Sequence, residues 1–296
     1  MAVVDTTMTF SITEPASPFY QPKENGLFVP ISPVQHRDSE YPESGFRMLL
    51  TMQDEHFWYR GRHRFILQTL LGHLQNKNRR HSMIDLGGGV GGWLRYLGDQ
   101  HLPWLGSMAL ADSSELALEF ADSVLPAGTQ RYQVDLMDLR MSGAWDVACM
   151  LDVIEHLPDD LGAIKQAAES LKSGGLLVVT TPAFPQFWSY NDEIAHHMRR
   201  YRRKDFVRLA SMSGLTLIDA RYFMFFLSPL YIATRLLTRV DRMTEEQKRR
   251  LVDDQHRVPS GPINAVLTSI FELESRVGHR VPFPWGTSIL GVFQKS

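Results

Sequence analysis

The chain contains a single cysteine among its 296 residues. Cys149 cannot form an intramolecular disulfide, which fits a protein of a reducing compartment, and we expect the cytoplasm. An excess of one charge is missing as well, because 31 basic residues stand against 33 acidic ones, for a net charge of −2. No overall electrostatic field therefore favours binding to nucleic acid or to an anionic membrane.

Long hydrophobic runs are also absent. The longest, from Tyr222 to Ala233, is too short to span a bilayer and contains Pro229. The first residues, Met1 to Asp5, show no basic segment followed by an apolar core, so no signal peptide is predicted. With 44% hydrophobic and 22% charged residues, the composition predicts a soluble globular protein without a stable membrane span.

Glycine is concentrated in one stretch, MIDLGGGVGG, at residues 83–92. An apolar run ends in the acidic residue Asp85, the glycine cluster follows, and residues 93–97 are compatible with a helix. This order predicts a strand, a tight turn and a helix. Glycines allow backbone angles that other residues avoid, and they let a ligand approach the main chain closely. We therefore predict a site for a nucleotide-like ligand.

The glycines alone leave the ligand open, because Gly87, Gly89 and Gly92 also fit the G-x-G-x-x-G fingerprint of NAD-dependent oxidoreductases. Asp85 favours another ligand, since a carboxylate repels a pyrophosphate but attracts the ammonium and sulfonium of S-adenosylmethionine (SAM). Residues 84–91 resemble motif I of the class I SAM-dependent methyltransferases, apolar-acidic-apolar-G-x-G-x-G. The cofactor contacts that this resemblance implies are Asp85, Gly87, Gly89 and Gly91.

Two further acidic residues follow predicted strands. Asp112 lies 20 residues after Gly92, the separation expected for a carboxylate that binds the ribose hydroxyls. Ser113 either assists Asp112 or caps the next helix. In the family that the chain resembles, an acid after the third strand binds the adenine amino group and the next backbone amide binds the ring. The resemblance gives these roles to Asp135 and Leu136.

The segment WDVACMLDVIEHL at residues 145–157 closely resembles a further segment of the same family, in which a buried strand leads to an E-H pair. The resemblance implies that Leu151 and Asp152 pass along the edge of the cofactor. His156 is predicted at the carboxyl end of the strand, where ligands of open α/β sheets bind.

An aromatic and arginine-rich segment, HFWYRGR at residues 56–62, precedes motif I. It resembles the segment that closes over the methionine end of SAM in many small-molecule methyltransferases. There an arginine can pair with the carboxylate and an aromatic ring can meet the sulfonium. Tyr59 and Arg60 are the cofactor candidates, while Phe57 and Trp58 are also consistent with a core-packing cluster.

The loop after the fifth predicted strand, residues 182–201, combines aromatic and polar residues. It resembles a W-S-x-x-D-(x)-H-x-R-R-Y stretch of one branch of these methyltransferases, with His197 at the histidine position. Methyl transfer is an in-line displacement, so the protein positions a nucleophile and removes its proton if it carries one. A histidine near neutral pKa suits that step. The base candidates are His197 and His196, and the substrate-positioning candidates are Tyr190 and Asp192.

The same loop also allows a purely structural interpretation. His197, Arg199 and Tyr201 can lock the loop through hydrogen bonds to Asp192 and Glu193, and the sequence does not decide between this role and catalysis.

A metal site is not predicted from the histidines of this region. Adjacent histidines such as His196 and His197 rarely face the same ion, and no spaced ligand motif accompanies them or His156. The basic run at residues 199–204 is interpreted as a solvated face, because Asp205 follows at once and no second basic cluster supports nucleic-acid binding.

Strands and helices alternate along the chain, which predicts an α/β fold with a doubly wound, Rossmann-like parallel sheet. The resemblance implies seven strands with an antiparallel last strand. The predicted parts are an irregular N-terminal extension (1–43), a SAM-binding core (44–223), a helical insertion (224–285) and a final core strand (286–296). The extension either forms a lid over the site or packs away from it.

The apolar insertion has three interpretations: it caps the pocket of a substrate with apolar bulk, it forms a homodimer contact, or it attaches loosely to a membrane. The predicted function is a SAM-dependent methyltransferase acting on O or N of a small molecule with apolar bulk, of natural-product, quinone or lipid-linked type. Three alternatives remain: a SAM-dependent enzyme that releases methylthioadenosine by aminocarboxypropyl transfer or cyclisation, an NAD-dependent oxidoreductase, and a SAM-binding protein without catalysis.

Overall fold

The computed structural model describes residues 14–32, 34, 43–237, 243–244, 246–248, 250 and 257–296. Parts of the predicted extension and of the predicted insertion thus lie outside the described residues. Nine strands form one sheet. They are β1 (Tyr20–Pro22), β2 (Leu27–Pro30), β3 (His81–Leu86), β4 (Leu105–Asp112), β5 (Gln130–Gln133), β6 (Trp145–Leu151), β7 (Leu171–Pro182), β8 (Leu215–Phe223) and β9 (Ser288–Lys295).

Helices connect these strands and cover both faces of the sheet. They are α1 (Glu43–Glu55), α2 (Phe57–His73), α3 (Gly92–Asp99), α4 (Glu115–Asp122), α5 (Asp160–Ser170), α6 (Tyr190–Ile194), α7 (Arg203–Ser213), α8 (Ser228–Leu237) and α9 (Gly261–Gly278). Within the described ranges, no helix has the length and apolar character that crossing a bilayer requires.

The strand order is β1-β2-β5-β4-β3-β6-β7-β9-β8. Strands β3 to β7 pair in parallel, whereas β9 runs antiparallel to both of its neighbours, β7 and β8. The chain leaves β3 first toward β4 and later returns to place β6 on the other side. The predicted doubly wound fold with an antiparallel last strand is confirmed, and its switch point lies between β3 and β6, where such sheets bind ligands.

The N-terminal extension supplies two strands that the sequence did not predict. Residues 20–30 form the β1–β2 hairpin, and β2 pairs in parallel with β5, so the sheet has nine strands and not seven. The ring of Phe28 stacks on that of Tyr132 with centroids 4.9 Å apart. The prediction of an irregular extension is wrong here because strands of three and four residues are too short to show a periodic pattern. The lid remains a prediction.

The inserted helix α9 packs on α2 and adds an outer layer over the sheet. The buried ring of Phe271 on α9 lies directly over Gly61 of α2, where an added Cβ would overlap it. Asn264 ties the start of α9 to the junction of α1 and α2, because its side chain accepts from the Phe57 amide and donates to the Glu55 carbonyl, at 2.9 and 2.8 Å. The insertion thus helps to fix the N-terminal end of α2.

Candidate cofactor and acceptor site

The turn between β3 and α3 is a surface of backbone with few side chains. Gly87, Gly89 and Gly91 have φ angles of +75°, +56° and +80°, which residues with a Cβ rarely adopt. At Gly88 an added Cβ would overlap the carboxylate of Asp85, and at Gly87 it would lie 2.8 Å from the Val153 side chain. Both the backbone angles and the close contacts therefore require glycine, and the resulting floor suits a nucleoside.

Asp85 is the penultimate residue of β3 and lies just before this turn. Its side chain is 1% exposed, and its Oδ1 has no hydrogen-bond partner among the described residues. Burial raises the pKa of Asp85 to about 7, against the lowering effect of the Arg62 charge. A buried carboxylate with an unsatisfied oxygen fits a cationic ligand.

Asp112 lies at the carboxyl end of β4 and is held against the glycine turn. Its Oδ2 accepts a hydrogen bond from the Gly89 amide and its Oδ1 one from the Ser114 amide, both at 2.9 Å. These bonds orient the carboxylate beside the floor, as a ribose ligand requires. The cap of α4 is Ser114, whose Oγ accepts from the Ala117 amide at 3.2 Å, so the capping role predicted as one option for Ser113 belongs to its neighbour.

Asp135 and Leu136 follow β5, one strand further from the switch point. The Val134 amide donates to the Asp112 carbonyl at 2.9 Å, which joins the ends of β4 and β5. Asp135 Oδ1 accepts from the Met137 amide at 2.8 Å, so the carboxylate also shapes its own loop. The predicted ribose and adenine residues therefore lie on adjacent strand ends.

The arginine that reaches the carboxyl end of β6 is Arg62, whereas Arg60, the arginine predicted from the sequence, points elsewhere on α2. Arg62 is 5% exposed, forms an ion pair with Asp152, and lies over the rings of Trp58 and Tyr59 at 4.7 and 5.1 Å. Arg60 is exposed and lines a groove between α1, α2 and α3 that Val90 and Gly92 also line. Residues two apart on a helix point about 200° apart, so one of them at most faces the site. The sequence showed that an arginine is present in this segment, but it did not show which arginine lies on which side of α2.

Strand β6 ends at Leu151, and the chain turns at Asp152 with a φ of +59°. Such an angle is uncommon for a residue with a side chain and often marks a functional site. The Asp152 amide donates to the Thr180 carbonyl at 2.9 Å, and the carboxylate pairs with Arg62. Asp152 thereby connects β6, β7 and α2 beside the glycine turn.

Asp192 anchors the loop that follows β7. Its side chain is fully buried and accepts from Arg200 Nε and Nη2 at 2.7 and 3.0 Å and from the Ser189 amide at 2.8 Å. Burial alone would raise the pKa of Asp192, but hydrogen bonds from His197 and Arg200 outweigh it and hold the pKa below its usual range. The prediction that Asp192 positions the substrate is wrong, because no part of its carboxylate is accessible.

His197 is held by this anchor and faces His156. Its Nδ1 lies 2.9 Å from Asp192 Oδ1, and the His156 and His197 rings meet edge to face with centroids 4.7 Å apart. The neighbouring Glu155 is fully buried, and neither of its carboxylate oxygens has a hydrogen-bond partner in the described part of the chain. Burial raises the pKa of Glu155 and lowers that of His156 to about 4.

The other candidates of this loop have different surroundings. His196 is an exposed turn residue with a φ of +55°, so the structure brings His197 and not His196 to His156. Tyr190 begins α6, and its ring meets the Lys248 ammonium at 5.1 Å from the centroid. The loop-locking interpretation is correct for His197 and Asp192.

Two details of that interpretation differ from the structure. The arginine that binds Asp192 is Arg200 and not Arg199. Tyr201 donates to Asp160 Oδ2 at 2.9 Å, and so fastens the loop to the start of α5 and not to α6. Alternation of charged residues in the sequence gave no means of assigning these partners.

Aromatic rings lie near the ends of β7 and β8. Trp285 contacts Phe225 edge to face at 5.2 Å and Phe187 at 6.3 Å between centroids. Phe225 in turn stacks on Phe283 at 4.8 Å. The sequence showed these residues as parts of two separate segments, and only the fold joins them into one apolar surface.

Comparisons with known proteins agree with this geometry. Residues 57–220 match a family model described as a methyltransferase domain. A proposed sarcosine dimethylglycine methyltransferase from Galdieria sulphuraria has a TM-score of 0.51 and 18% identity, covering 79% of this chain and 85% of that chain. A proposed methyltransferase from Bacillus halodurans has a TM-score of 0.50 and 16% identity, covering 78% and 98%.

A third similar structure contains the cofactor. Phosphoethanolamine N-methyltransferase 2 from Haemonchus contortus, in complex with SAM, has a TM-score of 0.56 and 16% identity, covering 90% of this chain and 61% of that chain. No curated protein matched the chain. The structural likenesses show the fold, and the family model spans more than half of the 296 residues. The chain belongs to the class I SAM-dependent methyltransferases, with SAM as its cofactor.

Proposed function

We propose that this methyltransferase transfers the methyl group to an oxygen or nitrogen of a small molecule with apolar bulk. The observation that carries the proposal is the buried Asp192–His197 pair, which fixes one ring nitrogen of His197 and leaves Nε2 for the acceptor. Asp152 interacts electrostatically with His156, the ring neighbour of His197, which supports a position beside the cofactor floor.

On the cofactor side, the residues described above would each bind one part of SAM. Asp85 would bind the ammonium group, and Arg62 would pair with the carboxylate of the same methionine part. Asp112 would accept hydrogen bonds from the ribose hydroxyls, while Asp135 and the Leu136 amide would bind the adenine. When bound, the cofactor supplies a methyl group activated by the positive charge of its sulfonium.

On the acceptor side, His197 would remove the proton from a hydroxyl or an amine as the new bond forms. The Asp192 carboxylate stays ionised at neutral pH because its pKa is held low, so it stabilises the imidazolium that results. Tyr190, at the start of the same loop, would help to orient the acceptor. All three of these residues lie in the loop after β7, which Asp192 and Arg200 hold in place.

The apolar bulk of the acceptor is inferred from the ring surface of Phe187, Phe225, Phe283 and Trp285. Aromatic rings at the mouth of a site bind apolar ligand surface without fixing its hydrogen bonds. Natural-product, quinone and lipid-linked acceptors share such bulk next to a hydroxyl or an amine.

The test uses SAM with a deuterated methyl group, the purified protein, and a fractionated small-molecule extract. The proposal predicts a product that is heavier by one labelled methyl, attached to oxygen or nitrogen, in fractions rich in apolar compounds. A label found only on carbon, or only in small polar compounds, contradicts the proposed acceptor class.

A further inference from the structure

Three potential metal ligands converge beside the acceptor position. Glu155 and His156 follow β6, while His197 comes from the loop after β7, and one ligand atom from each lies within 4.8 Å of the other two. The Met198 amide donates to the Glu155 carbonyl at 2.7 Å, so the backbone itself fastens the two segments together. The fold therefore holds the two segments that carry the cluster next to each other.

The hydrogen bonds around the cluster leave its inner side unsatisfied. Both carboxylate oxygens of Glu155 are buried and without a hydrogen-bond partner among the described residues. His197 has an outer partner, because its Nδ1 lies 2.9 Å from Asp192 Oδ1. Outer hydrogen bonds of this kind hold the rings of metal-binding histidines in place.

We propose that Glu155, His156 and His197 bind a divalent transition-metal ion of the zinc class. Two imidazole nitrogens and one carboxylate oxygen form a ligand set that zinc and its neighbours prefer, and three protein ligands leave a coordination position open. Bonds of about 2.0–2.2 Å to the ion would draw the ligand atoms closer together than they lie here.

The sequence predicts no metal site, because adjacent histidines such as His196 and His197 rarely face the same ion. The fold pairs His197 with His156 instead and adds Glu155, which the sequence had not singled out. His196 is exposed and outside the cluster. The spacing of 197 − 156 = 41 residues between the two histidines resembles no local ligand motif, so only the fold reveals the set.

A bound ion changes how the acceptor is activated, a consequence that rests on the proposed function. With Nε2 of His197 on the ion, that nitrogen cannot accept a proton. The open position would instead take the acceptor oxygen and lower its pKa, which favours hydroxyl-bearing acceptors. In one molecule the two roles of His197 exclude each other, and the metal content of the active enzyme decides between them.

The test measures binding of Zn²⁺ alone by titration calorimetry, and of Co²⁺ by its visible absorption, to the full chain stripped with a chelator. We expect one ion per chain, with the intense absorption of a low-symmetry, four- or five-coordinate site. His156→Ala, His197→Ala and Glu155→Gln should each weaken binding by more than about tenfold, since loss of an outer partner alone costs about 10–100-fold. His196→Ala, the matched control, should bind as the unaltered protein does.

Each variant is accompanied by circular dichroism and by SAM binding, and Glu155→Gln keeps the shape of the side chain if an alanine variant fails to fold. Absence of saturable binding, or equal affinity in the cluster variants and His196→Ala, overturns the proposal. Methyl transfer by a protein that binds no ion would refute the metal site and leave the proposed function standing. If the protein binds one ion as predicted but transfers no methyl group to oxygen or nitrogen, the metal site stands and the proposed function is refuted.

Discussion

Asp192 holds His197 through a contact of 2.9 Å between Oδ1 and Nδ1, inside a loop that Arg200 fastens to the same carboxylate. The sequence presented catalysis and loop locking as competing roles for these residues. In the structure one carboxylate orders the loop and fixes the orientation of the histidine ring. The locked loop therefore gives the His197 ring a defined orientation.

Replacement of His197 separates its proposed role from that of its neighbour. His197→Ala should lower kcat by about 10²–10⁴-fold, the usual contribution of a general base, with SAM affinity unchanged. His196→Ala serves as the control and should retain nearly full activity because His196 is exposed. Steady-state kinetics and SAM titrations check both variants, and equal losses of activity in the two would contradict the assignment.

Replacement of Asp192 tests the anchor. Asp192→Asn should lower the free energy of unfolding by about 3 kcal/mol at pH 7, because it leaves the buried Arg200 charge unpaired. Since the folded-state pKa of Asp192 is depressed, this stabilisation is present above the unfolded pKa of about 4 and is lost as the pH falls further. The difference between variant and unaltered protein should therefore shrink in acid.

Urea denaturation at several pH values measures this difference. Asp54→Asn is the matched control, because Asp54 pairs with Arg95 at the surface at 3.0 Å and should contribute less than about 1 kcal/mol. An Asp192→Asn loss no larger than that of the control would show that the anchor does not stabilise the loop.

The raised pKa of Asp85 predicts pH-dependent cofactor binding. Asp85 has a pKa of about 7 in the folded protein, and a bound ammonium group favours its ionised form, so binding releases a proton. SAM affinity should therefore rise as the pH increases from 5.5 to 7.5. Asp85→Asn should bind SAM more weakly and lack this rise.

The same shift affects the stability of the ligand-free protein. The folded protein retains a proton on Asp85 that the unfolded chain releases above about pH 4, so this residue lowers stability as the pH rises from 4 through 7. Asp85→Asn should consequently raise the Tm of the ligand-free protein at pH 8.

For SAM binding, calorimetry in buffers of different ionisation enthalpy measures the proton that is released. A SAM affinity of the unaltered protein that does not change with pH would contradict the account.

The choice between Arg62 and Arg60 is open to a direct comparison. Arg62→Gln should raise the Kd for SAM by more than about tenfold, through loss of a buried charge-assisted hydrogen bond. Arg60→Gln should change it by less than about twofold, because the Arg60 side chain is exposed and its charge is screened by solvent. Equilibrium binding of SAM to both variants checks this, and a larger effect at Arg60 would restore the assignment made from the sequence.

The placement of the three predicted cofactor acids could be read from the sequence because they lie at strand ends at set spacings. Asp85, Asp112 and Asp135 each end or follow a strand that alternates with helices, and parallel strands bring these ends to one edge. The backbone path of each strand determines where these acids lie, so the local sequence is enough to predict their positions.

The remaining candidate contacts, on both the cofactor and the acceptor side, depend on segments far apart in the chain. Arg62 reaches Asp152 across 90 residues, and His156 meets His197 across 41. The helical phase of α2 and the path of the loop after β7 decide these contacts, and no local pattern specifies either. The β1–β2 hairpin was missed for the same reason, since pairing with β5 makes its short strands regular.

The nucleoside released from SAM tests the central claim most directly. The purified protein is incubated with SAM and a small-molecule extract, and mass spectrometry identifies the nucleoside against a boiled-protein control. Methyl transfer predicts S-adenosylhomocysteine above the control, formed in step with a methylated acceptor. Methylthioadenosine in its place would contradict methyl transfer and assign this fold and cofactor site to aminocarboxypropyl transfer or cyclisation.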